Sequence, residues 1–226
     1  MSTLVHRLAE IHGRIAAARL RGENQEVRLV AVSKKQPVAA ITEAIAAGVR
    51  ELGENYAQEL GEKRGALPDP SLRWHMIGPV QRNKVKLVVG CALLHSVDRP
   101  ELLDAIESRA RALAIVQDVL VQVNVVGEPG KSGVAPEALP DLLDRFADLG
   151  HVRCTGLMLI PPLGTPDETR ACFAGLRSLR DHHGGAARPG VELAELSMGM
   201  SGDYELAIEH GATFVRVGTA LFGARA

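Results

Sequence analysis

The sequence predicts an α/β fold, a single (β/α)8 TIM barrel with an extra helix at its N-terminus. Three observations lead there. Short β-branched runs alternate with helical stretches eight times along the chain. The runs are apolar on both faces, as strands of a parallel sheet covered by helices must be. A length of 226 residues is one that such barrels occupy as one domain, here 1–226. An open doubly wound sheet is the alternative, but the first strand runs into SKKQP at 33–37 and not into a glycine-rich dinucleotide fingerprint.

Residues 3–20 place Leu4, Leu8, Ile11, Ile15 and Ala18 at three- and four-residue spacing, an amphipathic helix that ends at Gly22. RLVAVS at 28–33 is the first strand, followed by a helix over 38–47 that Gly48 stops. A strand at 50–52 leads to a helix starting near Asn55, and one at 74–78 to a basic helix with Arg82, Lys84 and Lys86, read as a solvated face. The fourth strand, 93–98, precedes a helix over 100–113; the fifth, 119–126, precedes a Gly-rich loop and a helix from Pro136 to about Asp148. A strand at 153–160 is followed by a helix from about Pro166 to His182, one at 195–197 by a helix over 203–210, and the last, 213–218, by a short terminal segment. HHGGAARPG at 182–190 reads as a flexible connection with His182 and His183 exposed to solvent, since no third metal ligand is near in sequence.

Composition excludes several function classes. The chain carries 26 Lys+Arg against 27 Asp+Glu, so no global field attracts nucleic acid or an anionic membrane. Aromatic residues make up 3%, too few to stack a single strand. No segment has the length and apolarity of a signal peptide or membrane span, and a cytoplasmic protein is expected. Cys91, Cys154 and Cys172 are odd in number and far apart, which predicts buried thiols and neither disulfides nor zinc.

In a (β/α)8 barrel the residues just past each strand form the active face. They include Lys34 and Lys35 after the first strand, Asn55 and Tyr56 after the second, His75 on the third, Asn124 on the fifth and Met158 on the sixth. Ser197 to Ser201 follow the seventh strand and Arg216 to Thr219 the eighth. Period-two geometry puts Val30, Val32 and Lys34 on one face, so that Lys34 and Lys35 point oppositely. A lysine there either snorkels out of the mouth or serves as a Schiff-base amine. SMGMSGD at 197–203 and RVGT at 216–219 follow the strands where barrels often hold a phosphate against backbone N–H groups. Together, lysine and cradle suit an aldehyde carrying a phosphate.

AVSKKQP at 31–37, GENYAQE at 53–59, WHMIGPVQRNK at 74–84, KSG at 131–133, GLM at 156–158, ELSMGMSGD at 195–203 and VRVGTALFGAR at 215–225 closely resemble the pyridoxal phosphate homeostasis protein family. The resemblance implies a barrel like the N-terminal domain of alanine racemase, binding pyridoxal 5′-phosphate (PLP) as a Schiff base on Lys34. It implies Ser197, Ser201, Gly218 and Thr219 around the phosphate, Arg216 near the pyridine nitrogen, and Asn55 and His75 at the mouth. The loop before KSG, VGEPG at 126–130, has its own sequence, and the Tyr- and Lys-containing tail common in relatives is not seen at Ala226.

An arginine beside the pyridine nitrogen disfavours its protonation and leaves the ring a weak electron sink. Racemases share the arginine but add a tyrosine from a second domain. Here Tyr56 and Tyr204 both start helical stretches, so no two-base arrangement is expected. The expectation is therefore a carrier without efficient turnover, monomeric, holding PLP and passing it to apo-enzymes that depend on it. A weak PLP-dependent amino-acid racemase or lyase is the alternative.

Overall fold

The computed structural model describes residues 3–128 and 130–223. Its eight strands form a closed parallel barrel in sequence order. They are β1 (Arg28–Val32), β2 (Glu51–Glu54), β3 (Arg73–Met76), β4 (Leu93–Val97), β5 (Gln117–Gln122), β6 (Val152–Met158), β7 (Val191–Ser197) and β8 (Phe214–Val217). The main helices are α1 (Thr3–Arg21), α2 (Val38–Ala46), α3 (Ala57–Ala66), α4 (Val85–Val88), α5 (Pro100–Ala112), α6 (Leu139–Asp144), α7 (Pro166–Gly184), α8 (Tyr204–Glu209) and α9 (Thr219–Phe222). The barrel closes where β8 pairs with β1, in a register that sets Val30 beside Arg216.

The extra helix α1 buries the five residues its periodicity picks out, Leu4, Leu8, Ile11, Ile15 and Ala18. It packs against α8 and α9, and Arg21 Nε donates to Glu209 on α8 at 2.6 Å. Apolar side chains then fill two shells. The larger lies between strands and helices; the smaller, Val30, Leu93, Leu120, Met158 and Phe214, fills the barrel interior. Val30 belongs to the interior and Ala31 to the outer shell, as period-two alternation requires. Gly53 faces inward too, where a Cβ would come within 2.7 Å of Val30 Cγ1.

Three local expectations change. The helix expected from Pro136 to about Asp148 is a 3-10 turn Pro136–Ala138, α6, and a second 3-10 turn Arg145–Asp148. Pro140 has no N–H to give an uninterrupted helix, so the helix restarts around it. The basic helix after β3 is a 3-10 turn Arg82–Lys84 followed by the single turn of α4. Helix α7, whose start is a capping box between Thr165 and Glu168, continues through His182 and His183. His182 is exposed, but His183 is buried, contrary to expectation, because it lies on the packed face of α7. Cys91, Cys154 and Cys172 are free and buried. Among the described residues no helix is long and apolar enough to cross a membrane, and no cluster of metal-ligating side chains occurs.

Candidate functional site

A cavity of about 400 Å³ opens at the C-terminal ends of the strands. Lys34, Asn55, Ser201, Arg216, Gly218 and Thr219 all line it. Barrel closure brings these residues, from opposite ends of the chain, to one mouth. Lys34 lines the cavity and is half-buried, whereas Lys35, with φ +60°, is exposed. The opposite orientations expected of the two lysines are therefore observed.

The backbone on both sides of Lys34 is held from outside the barrel. Lys63 Nζ, on α3, donates to the Ser33 carbonyl at 2.6 Å, to Glu54 Oε1 at 2.8 Å and to Glu59 Oε1 at 2.7 Å. Ser33 Oγ donates to Glu54 Oε1 at 2.6 Å, and the Lys35 N–H donates to Glu59. Glu54 is fully buried, and burial holds its carboxyl above the ordinary value despite the opposing hydrogen bonds from Lys63 and Ser33. The residues flanking the cavity lysine are thus anchored to a buried ion cluster.

Across the mouth the β7 and β8 loops form a cradle. Ser201 Oγ accepts the N–H groups of Gly218 and Ala220, each at 3.3 Å. The N–H groups of Ser201, Gly202 and Thr219 have no partner among the described residues. Gly199, with φ +91°, turns the chain into this loop; a Cβ there would also meet Ala207 Cβ at 2.6 Å. Unpaired N–H groups converging on a cavity suit the oxygens of a phosphate.

Arg216 is buried and directs its guanidinium to Ser197 Oγ at 2.6 Å and to the Leu159 carbonyl at 2.8 Å. Among the described residues no carboxylate lies within ion-pairing distance, and burial lowers its pKa to about 10. A buried cation at a cavity wall, with the Asp203 carboxylate acting on it only from beyond ion-pair contact, suits an electron-rich ligand atom. Asn55 Oδ1 is likewise buried without a hydrogen bond among the described residues. Gly78 permits this placement, because a Cβ there would lie 2.2 Å from the Asn55 carbonyl oxygen.

Two of the expected site residues lie away from the cavity wall. His75 is fully buried inside the barrel, with Nδ1 2.9 Å from His95 Nε2 and Nε2 against Glu51. Ser197 is also fully buried and stands behind Arg216, 2.8 Å from His95 Nδ1. Asn124 is used by its own loop, through Glu128. His95, Glu51 and the Lys63 cluster were not singled out from sequence, although His95 and Glu51 interrupt strands at inward-facing positions, a signal period-two reading can detect.

Such a barrel, with a lysine facing an anion cradle and a buried arginine, defines the class of the alanine racemase N-terminal domain. The sequence profile described as "Alanine racemase, N-terminal domain" matches residues 7–226. Within that class, a pyridoxal phosphate homeostasis protein of Aquifex aeolicus is 48% identical over 91% of this chain and 90% of its own. One from Pseudomonas aeruginosa is 44% identical, covering 100% of this chain and 97% of its own. PipY of Synechococcus elongatus, solved with PLP bound, is 39% identical over 98% of this chain and 100% of its own, with a TM-score of 0.86. The chain belongs to the pyridoxal phosphate homeostasis protein family.

Proposed function

We propose that this protein binds PLP at the barrel mouth, covalently through Lys34, and serves intracellular vitamin B6 homeostasis. The observation that carries the reading is the arrangement of one cavity lined by Lys34, by the Ser201–Gly202 and Gly218–Thr219 backbone, and by the buried Arg216. PLP, when bound, supplies an aldehyde that condenses with a primary amine and releases water. Lys34 provides the amine, the β7 and β8 loops the N–H donors for the phosphate, and Arg216 a hydrogen-bond donor whose positive charge disfavours a protonated ring nitrogen. Pyridoxal phosphate in the names of the relatives and PLP in the PipY structure support the same ligand.

The reading extends to a carrier that limits free PLP in the cytoplasm, acts as a monomer and hands the cofactor to apo-enzymes. Of the described residues lining the cavity, only Lys34 and Arg216 are titratable, and an arginine does not serve as a second base. Tyr204 has its hydroxyl buried outside that lining. Capture and release of a cofactor need one amine, whereas racemisation needs a proton donor on each face.

The test is the visible absorbance band of a PLP Schiff base on the protein mixed with PLP. Lys34→Ala is expected to abolish the band and Lys35→Ala to retain it. No band on the wild-type protein overturns the reading. Exchange of amino-acid α-protons far faster than with free PLP overturns its carrier form.

A further inference from the structure

Five polar side chains, one each from β2, β3, β4, β7 and β8, form one hydrogen-bonded file through the barrel interior. Glu51 on β2 meets His75 Nε2; His75 Nδ1 and His95 Nε2 are 2.9 Å apart; His95 Nδ1 and Ser197 Oγ are 2.8 Å apart; and Arg216 Nη1 donates to Ser197 Oγ at 2.6 Å. Phe214 lies edge-on to both imidazoles, at centroid distances of 5.6 and 5.5 Å. The file starts at the N-terminal end of the strands and finishes at the cavity.

Its two ends determine its direction. An arginine only donates hydrogen bonds and an ionised carboxylate only accepts them. Burial pushes the Glu51 carboxyl up, but the hydrogen bond from His75 and the charges of Arg73 and Arg28 hold it below the ordinary range. His75 must therefore carry its hydrogen on Nε2, and a neutral His75 then accepts at Nδ1. His95 must donate from Nε2 and accept at Nδ1. Ser197 is left to donate to His95 while a lone pair receives Arg216. Every contact is satisfied with both histidines neutral.

We infer that Glu51, His75, His95 and Ser197 are positioning residues for Arg216, forming a one-way chain of donors that holds the guanidinium against the cavity from the opposite end of the barrel. This rests on the PLP reading only for what Arg216 faces; the chain itself belongs to the protein without ligand. Burial favours the neutral form of both imidazoles and outweighs the Glu51 carboxylate, which alone among the groups facing His75 pulls it toward the charged form. His75 meets Glu51 from β2, with Arg28 of β1 and Arg73 of β3 nearby, and His95 meets His75, Arg28 and Arg216. Burial lowers both histidine pKa values, and for His95 the neighbouring His75, Arg216 and Arg28 add to the effect.

Nitrogen-15 NMR of the histidines in the PLP-free protein tests the direction. The expected result is the Nε2–H tautomer at both His75 and His95, unchanged from about pH 5.5 to 8. An Nδ1–H tautomer, or titration of either ring in that range, overturns the chain. Titration with PLP tests the positioning. Ser197→Ala and Glu51→Leu are each expected to weaken binding about tenfold while Lys34 still gives the visible band, and Glu51→Gln, which keeps an oxygen acceptor, to remain within about threefold of wild type. Affinity unchanged in Glu51→Leu overturns the long-range role. A wild-type protein that binds no PLP defeats the functional reading instead, and the tautomers still decide the chain.

Discussion

The chemistry proposed for Lys34 needs one amine presented to a cavity, and the neighbouring Lys35 shows how narrowly that is specified. The two differ by one position, yet one lines the site and the other is exposed on a left-handed φ of +60°. The cysteines show the opposite extreme of accessibility. Burial pushes the Cys91 thiol up to about 11 and the Cys154 thiol up to about 12, and Cys172 is shifted upward as well. A thiolate is the reactive form. A disulfide-exchange reagent at pH 8 is therefore expected to leave all three untouched in the folded protein and to titrate them once denaturant is added. Rapid reaction of any one in the native protein contradicts its placement in the core.

At the scale of elements, α3 does more than cover the barrel. Through Lys63 it reaches the residue before the cavity lysine, and through Glu59 the residue after it. Removing the cation would leave Glu54, fully buried, and the neighbouring Glu59 without their counter-charge. Lys63→Met is expected to lower unfolding stability by about 3–5 kcal/mol, measured in urea, because a broken buried pair leaves an uncompensated charge. Pairing it with Glu54→Gln should recover part of that loss; a single variant as stable as wild type would deny the cluster its anchoring role. The elements themselves were largely legible in sequence. All eight strands and the face of α1 follow from periodicity, since burial on one or both faces imposes it. The break at Pro140 was legible too, in the missing N–H, but the apolar spacing around it looked continuous.

For the whole molecule, the buried histidines couple stability to pH. His75 and His95 have lowered pKa values in the fold because burial penalises their charged forms, while the unfolded chain protonates histidine near pH 6.5. The unfolded state then binds more protons, so stability is full above that pH and is lost as pH falls below it. The limiting slope for two protons is about 2.7 kcal/mol per pH unit. Below about pH 4.5, Glu51, whose pKa is lowered, adds to the loss, and Glu54, whose pKa is raised, opposes it from above that value downward. Urea midpoints are expected to fall between pH 7 and pH 5.5, and to fall less in a His95→Gln variant. A flat profile would mean that the imidazoles take up protons in place.

The sequence by itself determined the barrel, the lysine that faces its mouth and the loops that make its cradle. These follow from local facts: apolar periodicity, the alternation of side chains along a strand, and glycine-rich turns after β7 and β8. Only the tertiary structure decided which polar residues reach the cavity and which stand behind it. His75 and Ser197 carry the same sequence signals as residues of the mouth, yet they sit deeper along their strands and bind His95. Lys63 lies far along the chain from the site it braces. Closing β8 onto β1 sets depth, register and neighbours all at once, and no single strand contains that information.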